Sequence, residues 1–163
     1  MQPIDELYTQ YAGKVYRYLL RLCGNKPLAE ELTQETFLRA IEKADTFKGD
    51  CSVNTWLCAI ARNLFYSHRK KRDNNHTSLT DFTASSPCRV EDGIEDREQL
   101  IRIHKAMRTL PEPYKEVFSL RILGELTFKE IGQLLNQSET WARVTYFRAK
   151  TKLVDILRKD EAV

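Results

Sequence analysis

A polar stretch near the middle of the chain separates two segments that have helical periodicity. Residues 73–96 read DNNHTSLTDFTASSPCRVEDGIED, which is rich in Ser, Thr, Asn and Asp and poor in apolar residues. This composition is typical of a linker. A structureless run of about 20 residues is uncommon inside a compact domain. The sequence therefore predicts two domains, at residues 1–72 and 98–163, joined by a flexible linker at residues 73–97.

The N-terminal segment shows apolar residues at helical spacing and no sustained period-two alternation. Its pattern predicts a first helix that ends near Gly24, a second helix that ends near Asp45 with Ile41 on its apolar stripe, and a third helix over residues 52–71. The third helix ends in the basic run HRKKR. We expect an all-α fold made of two small helical domains.

The C-terminal segment predicts four helices, at about residues 98–110, 114–122, 128–135 and 139–157. Thr127 and Glu130 have the spacing of a capping box, in which each side chain satisfies a free amide of the first helical turn. Ser138 can cap the last helix after a three-residue turn. That helix has an inward face at helical spacing, formed by Ala142, Tyr146, Ala149 and Leu153. A short capped helix, a tight turn and a longer helix predict a helix-turn-helix.

The last helix would place several side chains against DNA if it is a recognition helix. Arg pairs with guanine, Glu accepts from cytosine, and apolar groups contact the thymine methyl in the major groove. The candidates for base contact are Glu139, Thr140, Arg143 and Phe147, and those for phosphate contact are Arg148, Lys150 and Lys152. The alternative is a solvated basic face, but the capping box and the turn favour DNA binding.

Residues 47–72 form a second candidate nucleic-acid surface. A loop with Gly49 and small polar residues precedes a helix in which aromatic, amide and cationic side chains alternate. Such a mixture suits single strands, because unpaired bases stack on aromatic rings. The candidates are Ser52, Asn54, Thr55, Trp56, Arg62, Asn63 and Tyr66. On composition alone, Trp56 is more often a core residue.

An acidic patch on the second helix stands out in a domain that is otherwise basic. It contains Glu30, Glu31, Gln34 and Glu35. These residues suit a basic protein partner. Carboxylates near a helix N-terminus are also favourable in themselves, and the residues alone leave the two interpretations open.

Charge and composition narrow the functional class. Residues 1–72 carry a net charge of +4, residues 73–99 of −5 and residues 100–163 of +4. Two basic blocks around an acidic segment suggest two modules that bind a polyanion.

The four cysteines and three histidines lack metal-ligand spacing, so we expect no metal and no cofactor. No apolar run is long enough for a membrane span and no signal peptide opens the chain, which predicts a soluble cytoplasmic protein.

Two long runs resemble the extracytoplasmic-function (ECF) sigma factors of bacteria. The first is AEELTQETFLRAIEKADTFKGDCSVNTWLCAIARNLFYSHRKKR (residues 29–72), and the second is MRTLPEPYKEVFSLRILGELTFKEIGQLLNQSETWARVTYFRAKTKL (residues 107–153). The resemblance covers nearly the whole chain and both family domains in order. It implies a promoter-specificity subunit of bacterial RNA polymerase, which is not itself an enzyme and is commonly restrained by an anti-sigma factor.

The resemblance also implies a role for particular residues. The segment that binds the polymerase clamp matches Glu31, Gln34 and Glu35. The segment that melts and captures the minus-ten strand matches Lys48, Ser52, Asn54, Thr55, Trp56, Arg62, Asn63, Tyr66 and Arg69. The segment that reads the minus-thirty-five duplex matches Ser138, Glu139, Thr140, Arg143, Phe147, Arg148 and Lys150. The acidic linker would lie in the RNA path of the polymerase.

The family pattern is not matched everywhere, and two other functions compete. Thr140-Trp141-Ala142 stands where the family has Gly-Thr-Val, so the base preference does not carry over.

One alternative function is an autonomous helix-turn-helix regulator that does not need Glu31, Gln34 and Glu35. The other is a nucleic-acid enzyme, which would need clustered carboxylates or an activated nucleophile. His68 lies beside cationic residues, and no such cluster is evident.

Overall fold

Seven α-helices account for most of the residues that the structure describes. The computed structural model describes residues 2–74 and 94–161. Its helices are α1 (Ile4–Cys23), α2 (Lys26–Glu42), α3 (Val53–Asn74), α4 (Ile94–Thr109), α5 (Tyr114–Ile122), α6 (Phe128–Leu135) and α7 (Glu139–Glu161), with a 3-10 turn at Ala44–Thr46. The described residues contain no strand, so the all-α prediction is confirmed. Residues 75–93 of the predicted linker lie outside the described residues. The predicted bounds of the linker, 73 and 97, are wrong, because α3 continues to Asn74 and α4 begins at Ile94.

The helix boundaries of the N-terminal domain follow from local hydrogen bonds. α1 ends at Gly24, whose left-handed backbone (φ +64°) lets its amide donate to Leu20 O at 2.8 Å. Asn25 caps α2 by accepting from the amide of Leu28 at 3.1 Å. The hydroxyl of Ser52 accepts from the amide of Thr55 at 3.1 Å, at the start of α3.

The core of the N-terminal domain lies where α1, α2 and α3 meet. Its buried residues include Val15, Leu19, Leu32, Phe37, Leu57 and Phe65. The prediction that Ile41 belongs to this apolar stripe is wrong, because Ile41 is 50% exposed. It lies roughly 100° around the helix from the buried Ala40, and α2 ends one residue later, at Glu42.

The C-terminal domain contains the predicted helix-turn-helix. The amide of Thr127 donates to Glu130 Oε2 at 2.7 Å, and the amide of Glu130 donates to Thr127 Oγ1 at 3.2 Å. The predicted capping box of α6 is therefore present. Ser138 caps α7 as predicted, since its Oγ accepts from the amide of Trp141 at 3.0 Å. α7 continues to Glu161, four residues beyond its predicted end.

The turn between α6 and α7 requires special backbone positions. Asn136 ends α6 in the left-handed region at φ +57°. A Cβ on Gly132 would lie only 2.8 Å from Gln137 O and 2.9 Å from Ser138 O. Glycine at position 132 therefore lets the turn pack directly on α6, which sets how α7 leaves the domain.

Two apolar clusters hold the C-terminal helices together. One joins α4, α5 and α7 through Met107, Leu110, Phe118, Ala149 and Leu153. The other contains Val117, Leu120, Leu126, Ile131 and Ala142, and it also contains Tyr18 of α1 and Cys58 of α3. The two predicted domains therefore share an apolar cluster. Periodicity shows which side of a helix is apolar but not which domain covers it, so the sequence did not predict this contact.

Candidate nucleic-acid interface

The outer face of α7 presents all seven residues predicted to read duplex DNA. Ser138, Glu139, Thr140, Arg143, Phe147, Arg148 and Lys150 are all exposed. Arg143 Nη2 lies 3.4 Å from Glu139 Oε1, one helical turn away. Phe147 is 52% exposed, although its ring centroid lies 5.5 Å from that of Tyr146 and 6.4 Å from that of Phe128. The face combines cationic, polar and apolar groups, as major-groove readout requires.

Sequence reasoning missed three residues that shape this face. Phe128, the first residue of α6, lies under two guanidinium groups: its ring centroid is 4.4 Å from Arg121 and 5.5 Å from Arg143. Arg121 also donates to Leu126 O at 3.0 Å. Val144 is 41% exposed, and its spacing from Thr140 and Phe147 could have revealed it. The stacking of Phe128 with Arg143 restricts where that guanidinium can point.

A shallow groove runs along the same face of α7. It has a volume of about 680 Å³ and is lined by Tyr114, Arg143, Val144, Phe147, Arg148, Thr151, Lys152 and Asp155. Lys152 Nζ lies 5.1 Å from the centroid of the Tyr114 ring. The cation predicted to hold a phosphate is therefore beside the residues that the sequence predicts to contact bases.

The second candidate surface, at α3 and the loop before it, is only partly accessible. Of the predicted residues, Lys48, Ser52, Asn63 and Arg69 are exposed, Trp56, Arg62 and Tyr66 are half-buried, and Asn54 and Thr55 are buried. Trp56 packs on Phe47, with 4.8 Å between the ring centroids. Trp56 is thus a partly packed residue that keeps an accessible side.

The buried residues of this surface contact the C-terminal domain. Asn54 Nδ2 donates to Gly124 O at 2.7 Å. Thr55 Oγ1 lies 2.9 Å from Ser52 Oγ. Burial acts to raise the pKa of the Glu130 carboxyl, but hydrogen bonds from Ser52, Thr127 and Thr55 lower it, so Glu130 remains ionised. In this arrangement neither Asn54 nor Thr55 is open to a nucleic acid.

Arg62 forms an ion pair with Glu116 of α5. Its guanidinium also lies 4.9 Å from the centroid of the Tyr66 ring. Burial acts to lower the pKa of Arg62, but the hydrogen bond and the charge of Glu116 raise it. The pKa of Tyr66 is raised, first by burial and then by the charge of Glu116. The Arg62 guanidinium is therefore charged, and the Glu116 carboxylate already binds it.

The acidic patch of α2 lies on the side away from the core. Glu31 and Gln34 are exposed, and Glu35 Oε1 accepts from Arg39 Nε at 3.2 Å. Two apolar side chains continue the same stripe, since Leu38 is 56% exposed and Ile41 is 50% exposed. Residues 31, 34, 38 and 41 follow the three- and four-residue spacing of one helix face. An acidic end and an apolar end therefore form one continuous surface.

The remaining observations concern metal ligands, cysteine thiols and membrane-spanning helices. Within residues 2–74 and 94–161, no three His, Cys, Asp or Glu side chains are grouped so as to hold a metal ion. Burial raises the pKa of Cys58 to about 12. Burial, then the charges of Asp50 and Glu130, raise the pKa of Cys51. No helix in this part of the chain has the length and apolar character to span a membrane.

Comparison with known families decides between the alternatives. A model of sigma-70 region 2 matches residues 7–75, and a model of sigma-70 region 4 matches residues 100–153. The ECF RNA polymerase sigma factor SigM of Bacillus subtilis is 33% identical over 154 residues, covering 92% of each chain. The chain belongs to the ECF sigma factors. ECF sigma factor SigW of the same species is 31% identical, over 77% of this chain and 73% of its own.

Two solved structures share the fold of this ECF sigma factor. The sigma factor RpoE, crystallised with the anti-sigma factor NepR from Bartonella quintana, has a TM-score of 0.78 and 22% identity, covering 94% of this chain and 96% of its own. CnrH, solved with the cytosolic domain of CnrY, has a TM-score of 0.72 and 19% identity, covering 96% and 88%. These structures show the fold, and the matches to sigma-70 regions 2 and 4 and to SigM show that the chain is a transcription initiation factor that acts with RNA polymerase on promoters.

Proposed function

We propose that this ECF sigma factor divides promoter recognition between its two domains, at residues 1–72 and 98–163. The C-terminal domain reads the minus-thirty-five duplex with α7. The N-terminal domain binds the polymerase with α2 and captures the melted minus-ten strand with α3 and the loop before it. The observation that carries the proposal is the exposed face of α7, on which all seven predicted side chains are accessible.

Duplex recognition by α7 follows from its side-chain chemistry. Arg143 can pair with a guanine, and Phe147 and Val144 can contact thymine methyl groups. Glu139, which is within 3.4 Å of Arg143, either aligns this guanidinium or accepts from a cytosine. Arg148 and Lys150 bind phosphates, which adds affinity and register but no base preference.

Strand capture by the N-terminal domain needs interactions that offset DNA opening. Opening costs about 1.4 kcal/mol per base-pair step. Stacking of a base on an aromatic ring contributes roughly 1–3 kcal/mol, and Trp56 and Tyr66 are the aromatic groups at this surface. Lys48 and Arg69 are exposed cations for the backbone phosphates. The balance is close, so promoter opening requires the polymerase to hold both domains on the DNA.

The polymerase surface consists of Glu31, Gln34 and Glu35 together with the exposed Leu38 and Ile41. The acidic residues suit a basic partner, and the apolar residues give it a desolvated centre. The solved relatives RpoE and CnrH were captured with the anti-sigma factor NepR and with the domain of CnrY. We infer that an anti-sigma factor likewise restrains this chain, in the cytoplasm where the polymerase acts.

Run-off transcription tests the proposed function. Purified bacterial core polymerase is incubated with a pool of randomised promoters, with and without the chain, and the transcript starts are sequenced. We expect initiation that depends on the chain at a shared two-part motif. Initiation without such a motif would refute the proposal.

Adding positive charge to α2 distinguishes a sigma factor, which needs the polymerase, from an autonomous DNA-binding regulator, which does not. Glu31→Lys with Gln34→Lys should strongly reduce the initiation that depends on the chain, because two lysines at these positions would repel a basic partner. Glu98→Lys, an exposed reversal on α4, is the control and should initiate normally. If the double variant initiates like the control, α2 does not bind the polymerase.

A further inference from the structure

The ring of Phe128, the first residue of α6, links the core of the C-terminal domain to the exposed face of α7. Its centroid lies 5.5 Å from that of Tyr146 and 6.4 Å from that of Phe147. Tyr146 in turn stacks on the buried Phe118, with 5.6 Å between the ring centroids and 13° between the ring planes. A continuous row of aromatic rings therefore runs from the core to the residues that we assign to base contact.

The same ring contacts the guanidinium of Arg143 on the neighbouring helix. The guanidinium lies 5.5 Å from the ring centroid of Phe128, which is within the range of a cation–π interaction. Arg143 Nη2 also lies 3.4 Å from Glu139 Oε1, but both side chains of this ion pair are about half exposed, so it contributes little. Phe128 thus restrains the Arg143 guanidinium from outside its own helix.

The helix-turn-helix fixes the position of this ring relative to α7. The capping box holds the first turn of α6, because Thr127 and Glu130 bind each other's amides. Gly132 lets the turn pack directly on α6. Phe128 is half-buried, and an aromatic side chain has far fewer rotamers than an arginine. The ring is therefore a rigid support that is in place before DNA binds.

We propose that Phe128 is a positioning residue for promoter recognition, which aligns Arg143 and thereby sets the base preference at one position of the minus-thirty-five element. The inference rests on the proposed function of α7. An unrestrained arginine can turn towards a phosphate, which adds affinity but no sequence information. An arginine held against a ring loses less conformational entropy when it pairs with a guanine. Phe128 therefore acts on the choice of base more than on overall affinity.

Transcription from the randomised promoter pool tests the inference, with holoenzymes assembled from core polymerase and full-length variants. Arg143→Ala identifies the base pair that Arg143 reads, as the position at which a guanine preference disappears. At that base pair, Phe128→Leu should lower the preference about two- to fivefold, the range expected for loss of an exposed cation–π contact. Phe128→Tyr keeps the ring and should retain the wild-type preference.

A matched control and a double variant separate positioning from a general effect on packing. Leu134→Ala, at a half-buried apolar residue of the same helix, should lower the thermal stability but keep the wild-type base preference. In the Arg143→Ala background, Phe128→Leu should cause no further change of base preference, because the side chain that the ring positions is absent. Circular dichroism confirms folding of each variant.

The two proposals fail in distinguishable ways. If Arg143→Ala leaves every base preference unchanged, α7 does not read DNA through Arg143, and both its recognition role and its positioning are wrong. If Arg143→Ala removes a preference that folded Phe128→Leu keeps, only the role of Phe128 is wrong. An equal loss of preference in Phe128→Leu and Phe128→Tyr, or a loss in Leu134→Ala, would show that general packing sets the preference and would also overturn the inference.

Discussion

The side-chain amide of Asn54 donates a 2.7 Å hydrogen bond to the carbonyl oxygen of Gly124, 70 residues later in the chain. Both residues are buried. A Cβ on Gly124 would lie 2.8 Å from Leu120 O, so glycine is needed for the chain to turn closely at the end of α5. This turn brings a backbone carbonyl to α3, where Asn54 satisfies it.

Replacing Asn54 with alanine should destabilise the contact between the domains. The substitution leaves the Gly124 carbonyl buried without this donor, which costs about 1–3 kcal/mol. Urea denaturation followed by circular dichroism would measure the loss in the free energy of unfolding. Asn63→Ala, at an exposed position of the same helix, should change it by less than about 0.5 kcal/mol. Equal effects of the two variants would contradict the assigned role of Asn54.

A methyl group at position 132 should disturb the helix-turn-helix. In Gly132→Ala the new Cβ would meet the carbonyl oxygens of Gln137 and Ser138 at 2.8 and 2.9 Å, so the turn must move. We expect lower stability and weaker holoenzyme binding to the minus-thirty-five duplex, measured by thermal unfolding and by fluorescence anisotropy.

Gly13→Ala is the matched control for the glycine at position 132. Gly13 is exposed in α1, and the nearest atom outside the helix backbone, on Arg17, is 3.6 Å from its added Cβ. The substitution should stabilise the protein by about 0.5–1 kcal/mol, because alanine favours a helix over glycine. Stabilisation by both substitutions would show that the turn does not need glycine.

Features that depend on residues close in sequence were predictable. The Thr127–Glu130 capping box and the Ser138 cap each join residues three apart, so their spacing alone indicates the contact. The inward face of α7 was likewise visible as a repeat, and Ala142, Ala149 and Leu153 are buried as expected.

Features that depend on the contact between the domains were not predictable. Arg62 and Glu116 are 54 residues apart, and nothing in their local sequence indicates that they pair. Asn54 and Arg62 have side chains suited to nucleic acid, and the same hydrogen-bonding groups suit a protein surface with carbonyl and carboxylate oxygens. Residue type therefore predicted that the α3 surface donates hydrogen bonds to oxygen acceptors. It did not predict that the C-terminal domain supplies those acceptors.

The contact between α1 and α4 should weaken at low pH. Arg21 Nη1 donates to His104 O at 2.9 Å. Burial, then the charges of Arg21 and Arg108, lower the pKa of His104 below its ordinary 6.5. The folded chain thus takes up a proton at this site less readily than the unfolded chain does. The stability contributed by neutral His104 is complete above about pH 6.5 and is lost as the pH falls through the lower pKa of the folded state.

A histidine variant isolates this effect from other titrations. We expect the free energy of unfolding of the wild type to fall more between pH 7.5 and pH 5 than that of His104→Asn, measured by urea denaturation at both pH values. His68→Asn, at a histidine outside this contact, should follow the wild type. Parallel pH profiles for all three proteins would exclude a contribution from His104.

The apolar end of the α2 surface should contribute most of its affinity for polymerase. Leu38 is 56% exposed, next to the acidic residues that we assign to polymerase binding. Interface affinity concentrates in desolvated central side chains, whereas charges at the rim mainly affect association rate. Leu38→Asp should therefore weaken binding to core polymerase by at least about tenfold, or about 1.4 kcal/mol, measured by fluorescence anisotropy of a labelled chain. Ile101→Asp, at a 42% exposed apolar position on α4, should bind normally, and a similar loss in both variants would mean that the polymerase does not recognise Leu38 in particular.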